Sequence, residues 1–311
     1  VIFITYLYCC KRICFMQKEK KNVALGSVIA AVFLTGFKLI VGFLTGSLGI
    51  LSEALHSGLD LFAAIITYFS VRVSDKPADR QHNYGHGKIE NFSALVETIL
   101  LLITCLFIVY EAFARLFTGA THIEVNSWSY LVVGCSVLVD FTRSRALKRV
   151  AKKYNSQALE ADALHFSTDI WSSLVVLLGL ICANFGYFFA DALAALGVAC
   201  VVLFVSWKIG KKSVDVLLDT APQETIALVR DTLSRIPQVK YFHSLKVRTA
   251  GADTFVKVNV HLDPEMNLRQ VHEICDLIEA EIGNRIDRSE VNIHAEPQEL
   301  PHLETEKKDG L

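Results

Sequence analysis

Six runs of about twenty mostly apolar residues, at 23–44, 48–71, 91–117, 127–147, 164–183 and 187–207, constrain this 311-residue chain more than any other feature. That is the length an α-helix needs to cross the hydrocarbon of a bilayer. In lipid, where the backbone must satisfy its own hydrogen bonds, helices and closed barrels are the spanning structures available. With 52% hydrophobic residues the composition argues against an ordinary soluble domain. The expectation is a polytopic α-helical membrane protein with six transmembrane helices.

Charge orients the spans, because Lys and Arg stay on the cytoplasmic side. Lys11, Arg12, Lys18, Lys20 and Lys21 precede the first run, and Arg72, Lys76, Arg80 and Lys88 fill the second-to-third connection. Arg143, Arg145, Lys148, Arg149, Lys152 and Lys153 fill the fourth-to-fifth. The opposite connections hold none apart from Arg115 at one helix end, so both termini are expected in the cytoplasm of a multi-pass plasma-membrane protein. Residues 1–15 have neither a basic start nor a cleavage site of a secretory signal. They are read as an N-terminal extension ahead of Met16, which opens the membrane domain 16–212.

From Ser213 onward the chain carries 18 acidic and 11 basic residues, a net −7, against +6 for residues 1–212. That acidity gives no reason to expect nucleic acid. Here the periodicity changes: Thr225–Arg235 is helical in pattern, and two strands flank the Gly251 turn. Leu268, Val271, Cys275, Ile278 and Ile282 mark a second helix, and "EVNIHAE" closes as a strand. The order αββαβ predicts a small two-layer α+β domain over 213–297, followed by a flexible tail over 298–311. The eight cysteines (Cys9, Cys10, Cys14, Cys105, Cys135, Cys182, Cys200, Cys275) show no spacing of a disulfide framework or zinc knuckle.

Two segments inside the apolar runs, "SEALHSGLD" and "ADALHFSTD", each place a histidine four residues before an aspartate: His56 and Asp60, His165 and Asp169. Residues four apart share a helix face. An ionised aspartate within a span is costly and faces a partner. If the two faces meet, two nitrogens and two oxygens converge, a donor set that suits Zn²⁺ better than Mg²⁺ or Ca²⁺. The connection "DRQHNYGH" offers Asp79, His82 and His86 around a turn. His261, His294 and Glu296 fall on the non-core phase of their strands, with His243 and His272 nearby in sequence. Both groups have a plainer reading as solvated polar residues. Lys38 pairs internally or reaches toward the interface; Asp140 and Asp191 read as packing or interfacial groups, and Glu97 and Glu111 could line a water path.

"GSLGILSEALHSGLD", "PADRQHNYGHGKIE", "ALEADALHFSTDIWSS" and the αββαβ tail together resemble the cation diffusion facilitator family of metal/proton antiporters, over about residues 20–297. The resemblance implies a homodimer of six-span protomers with metallochaperone-like cytoplasmic domains. It also implies a transport site at His56, Asp60, His165 and Asp169 and a loop site at Asp79, His82 and His86. Cytoplasmic metal sites would use His243, His261, His272, His294 and Glu296, and a charge pair, Lys88 with Asp219, would tie the dimer contacts together. Two departures stand out: some members carry Asp where this chain has His56, and a relative carries Asp where this chain has Glu296. The expected function is proton-coupled efflux of divalent cations, foremost Zn²⁺, by a secondary transporter and not an enzyme. The alternatives are a broader Fe²⁺, Mn²⁺, Co²⁺ or Cd²⁺ exporter, a non-transporting metal sensor, or a membrane metalloenzyme, which would need an open coordination position for water.

Overall fold

The computed structural model describes residues 2–46, 48–118, 127–184 and 189–298. Side-chain surroundings are described from residue 16 onward except at 47–49, 52, 111, 115–130 and 176–194. The tail beyond 298 and the side chains of Cys9, Cys10, Cys14, Glu111, Cys182 and Asp191 therefore lie outside the described residues. The chain divides into two units, one ending at Leu217 and one beginning at Leu218. That division coincides with the end of the sixth long helix at Leu217.

The first unit consists of six long helices: α1 (Ile2–Thr45), α2 (Leu48–Ser74), α3 (Lys88–Thr118), α4 (Ser127–Tyr154), α5 (Gln157–Asn184) and α6 (Phe189–Leu217). Among the described residues three segments are long and apolar enough to cross a membrane: Met16–Thr45, Glu53–Ser74 and Lys88–Ala114. The fourth expected run belongs to α4, whose second half carries Arg143, Arg145, Lys148 and Arg149. The apolar stretches of α5 and α6 are described over 164–175 and 195–207, and the side chains of 176–194 lie outside the description. Six helices are thus present where six runs were read, and three satisfy the length and apolarity of a span.

Packing in this unit inverts that of a soluble protein. Ala24, Ala31, Ala54, Ala63, Ala64, Ala94, Ala161 and Ala163 are buried, whereas Phe43, Leu44, Leu55, Leu106, Phe204 and Trp207 face outward. Small residues inside let helices approach closely, and lipid takes the large apolar side chains. Gly42 shows the principle at the α1–α2 hairpin: a Cβ there would meet Leu51 Cδ2 at 2.8 Å. α3 packs chiefly on α6, and α4 on α5, with α2 touching α3 and α5.

The second unit runs α7 (Gln223–Ser234), β1 (Tyr241–Ala250), β2 (Asp253–Leu262), α8 (Leu268–Arg285), β3 (Ser289–Pro297). β1 and β2 form an antiparallel hairpin around Gly251, which adopts φ +61°. β3 returns parallel to β2 after the α8 crossover, so β2 is central. Val256, Val258, Val260 and Leu262 are buried against Val229 and Leu233 of α7 and Ile274, Ile278 and Ile282 of α8. That leaves the alternate residues Lys257, Asn259 and His261 on the opposite face. One expectation fails in detail: Leu268, read as the first residue of the α8 apolar face, is 85% exposed. It opens the first turn just after the Asn267 cap, and the buried row is carried by Ile274, Ile278 and Ile282.

Candidate metal sites

α2 and α5 bring the two HxxxD segments together. His165 Nε2 lies 3.0 Å from Asp60 Oδ1 on the other helix and 3.6 Å from Asp169 Oδ2 one turn along its own. His56 Nε2 stands 3.9 Å from Asp60 Oδ1 and 4.0 Å from Asp169 Oδ1. Asp60, His165 and Asp169 each offer an atom within 4.8 Å of the others, the spread of donors around a single ion. His56 sits at the edge of this trio and is the more exposed imidazole, its side chain 35% accessible against 3% for His165. Asp169 Oδ2 is buried and has no hydrogen-bond partner among the described residues, His165 Nε2 standing 3.6 Å away.

The connection between α2 and α3 folds around Asp79. Its Oδ1 accepts the backbone N–H groups of Gln81 at 2.8 Å and His82 at 2.7 Å, which with Gly85 at φ +73° makes the turn. These donors, His82 first, hold the Asp79 carboxyl below its ordinary value. His82 Nδ1 lies 3.2 Å from Asp79 Oδ1 and His86 Nε2 3.5 Å from Oδ2, so the three expected residues do converge.

On the open face of the second unit's sheet, Glu296 is the hub. Its Oε2 is 3.2 Å from His243 Nε2 and 3.3 Å from His261 Nε2, and its Oε1 accepts from Asn259 at 2.7 Å with His294 Nε2 at 3.5 Å. The register explains the meeting: His261 pairs with Glu296 across β2–β3 and with Tyr241 across β1–β2, two residues from His243. The His243 hydrogen bond is the first cause holding the Glu296 carboxyl below its ordinary value. His272 is not part of the cluster. It lies on α8, which packs on the other side of the sheet, and its Nδ1 is 3.6 Å from Asp276.

Lys88 Nζ donates to the Leu217 carbonyl at 3.2 Å in the first unit, and Asp219 lies 3.6 Å from Arg248 in the second. Lys38 pairs internally, donating to Ser57 Oγ at 2.8 Å and Glu53 at 3.1 Å, one turn from His56. Asp140 pairs with Arg143 at 3.2 Å.

The sequence reading passed over several buried charged groups. Lys20 is 1% exposed and bridges Asp75 at 2.9 Å and Glu90 at 2.6 Å. Arg143 donates to Ser27 Oγ, which itself donates to Asp162, while its guanidinium lies 3.6 Å over the Phe166 ring. A signal for them existed: Asp162 is three residues before His165, and Glu90 seven before Glu97, so each shares a helix face with a group already singled out.

Comparison with known proteins follows the same division. Residues 24–218 match the family described as the cation efflux transmembrane domain, and residues 221–298 match the cation efflux protein, cytoplasmic domain (ZT_dimer). The chain is 33% identical over 279 residues to the uncharacterized transporter sll1263 of Synechocystis sp., covering 88% of this chain and 89% of that one. It is 30% identical over 283 residues to the cation-efflux pump FieF of Serratia proteamaculans, covering 89% and 92%. The metal-bound C-terminal domain of the CzcD transporter from Thermotoga maritima aligns at 29% identity, covering 24% of this chain and 88% of that domain, with a TM-score of 0.24.

Proposed function

Because the chain belongs to the cation diffusion facilitator family of cation efflux proteins, we propose that it exports Zn²⁺ from the cytoplasm across the plasma membrane in exchange for protons. The observation that carries this reading is the convergence of Asp60, His165 and Asp169, with His56 at its edge, between α2 and α5. Two imidazoles and two carboxylates neutralise a divalent ion and favour a small, borderline-soft one. Metal can bind an imidazole nitrogen only when that nitrogen is free of a proton, so loading the site expels protons and proton return empties it. If His56 completes the trio as a fourth donor, no coordination position is reserved for a reactive water, as a metalloenzyme would require.

The Asp79–His82–His86 group and the His243–His261–Glu296 cluster, with His294 beside it, are proposed as further metal sites. His272 would join them only across a second copy of the chain, and the match of residues 221–298 to the ZT_dimer family supports a homodimer. Lys88 and Asp219 are proposed to couple the membrane and cytoplasmic contacts of that dimer. Both termini and the second unit are assigned to the cytoplasm from the loop charges.

The test is purified protein in sealed vesicles carrying a zinc reporter and a pH reporter. Zinc uptake accompanied by opposite proton movement is the expected result, with Mn²⁺ and Cd²⁺ competing weakly. Strong competition by those ions would replace the zinc assignment with a broader exporter, and binding without flux would replace transport with sensing.

A further inference from the structure

A second set of buried polar groups runs along the α2–α3 interface, and it is built from a repeat. On α2, Asp60, Thr67 and Ser74 recur every seven residues; on α3, Glu90 and Glu97 do the same, with Ser93 between them. Seven residues are two helical turns, about 10.5 Å of rise, so each set forms one stripe along its helix. The antiparallel stripes are joined rung by rung. Ser74 Oγ donates to Glu90 Oε1 at 3.0 Å, Ser70 Oγ to the Ile89 carbonyl at 3.0 Å, and Thr67 Oγ1 to Glu97 Oε1. The last rung is Thr67–Glu97; Asp60, a residue of the proposed transport site, lies two turns further along the same stripe of α2 and faces His165 of α5. The other end is the Lys20–Asp75–Glu90 cluster, closed by Ser156 at 2.5 Å from Glu90, next to the α2–α3 connection.

Glu97 at the last rung is the anomaly. It is fully buried, its one hydrogen-bond partner among the described residues is the neutral Thr67, and its Oε2 has none. Glu90, two turns away, is by contrast neutralised by Lys20. A carboxylate buried with no cation to pair with is expected to take up a proton instead. Other charges facing this region give no relief. Asp162 acts on Glu97 from α5 and is itself an acid with a buried, unpartnered Oδ1. Arg143 of α4 is engaged by Asp140 and Ser27. Lys208, Lys211 and Lys212 of α6 are exposed, and half-buried Asp215 makes no bond to Glu97. Ser93, one turn from Glu97 toward Glu90, is buried with an unpartnered hydroxyl.

We infer that Glu97 is a proton-binding site of the transport cycle, held between α2 and α3 two helical turns from the level of Asp60. Chains of intramembrane acids mark proton paths in pumps and transporters. Glu97 would take up the proton as a carboxylic acid and release it as a carboxylate, without touching the metal. This rests on the antiport reading above.

The experiment uses the full chain in bilayers and the isosteric Glu97→Gln. Infrared spectra of the parent should contain a carboxylic-acid carbonyl band that the variant lacks. In vesicles the variant's zinc-driven proton movement should fall about 10²-fold, the low end for loss of a positioned proton-transfer group, while zinc binding stays unchanged. A parent-minus-variant spectrum that contains no acid band, or an unchanged proton-to-zinc ratio, overturns the inference while leaving antiport intact. Zinc uptake by the parent with no proton movement overturns both. If Glu97→Gln does not insert, Glu97→Asp serves: its acid band must shift from the parent's, and an identical band overturns the assignment.

Discussion

Glu296→Gln is the most informative change in the cytoplasmic unit, because it removes an anion and keeps the shape. Both imidazoles of the cluster contact one carboxylate oxygen, at 3.2 and 3.3 Å. The carboxyl is held below its ordinary value by His243, so at neutral pH it is an anionic ligand ready for a cation. A metal present at a hundred times its dissociation constant stabilises the folded unit by about 2.7 kcal/mol. For a unit of this size that raises the unfolding midpoint by about 10–20 °C. Loss of a mere supporting contact at a metal site weakens binding by about 10–100-fold, and loss of a direct ligand should reach at least the upper figure. At the same metal concentration the stabilisation then shrinks to about 0.4 kcal/mol and the shift to about 2–3 °C. The assay is thermal unfolding of residues 218–298, which enclose their own core, with and without zinc. An equal zinc-induced shift in parent and Glu296→Gln would refute the site, and the cluster would be an ordinary polar sheet face.

Three further predictions follow from particular contacts. His56→Asp, which adds a third carboxylate beside two that stand 3.9 and 4.0 Å from His56 Nε2, should let Mn²⁺ and Cd²⁺ compete better for zinc flux; an unchanged selectivity ratio assigns His56 to packing. Glu90→Ala leaves Lys20 paired with Asp75 but removes the acceptor of Ser74 and Ser156 and should cost about 1.5–3 kcal/mol, read as loss of thermal stability in detergent, with no loss if the buried cluster is energetically idle. In the cytoplasmic unit, Arg285 first and Arg235 second hold the Asp231 carboxyl below its ordinary value of 3.8. Its contribution is therefore present above that value and disappears as pH falls through the lower, folded one; acid unfolding curves should be flatter in that range for Asp231→Asn, and superimposable curves would dismiss the pair.

The residues most legible in the sequence were those whose chemistry conflicts with their surroundings. Two copies of a histidine four residues before an aspartate, both in apolar runs, are the legible signal, and α2 and α5 bring Asp60, His165 and Asp169 together with His56 at the edge. The αββαβ order was readable because periods of two and of about 3.6 leave different apolar spacings, although Leu268 shows that such spacing cannot tell the first turn of a helix from its buried middle. What sequence could not supply was partnership across elements. That Lys20 on α1 neutralises Glu90 on α3, that Thr67 serves Glu97, and that His272 lies apart from His243, His261 and Glu296 depend on how helices and strands pack. Charge counts place a residue near a membrane face but do not say which of its neighbours is within 3 Å.

Asp60 and Asp169, brought to one point by α2 and α5, are the residues proposed to hold the transported ion. The most direct test is zinc-driven proton movement in vesicles containing Asp169→Ala, with insertion and assembly checked on the same sample. The account predicts that flux and high-affinity zinc binding are both lost while the protein still inserts. Retained transport with the parent's affinity would contradict it and remove the α2–α5 site from the mechanism.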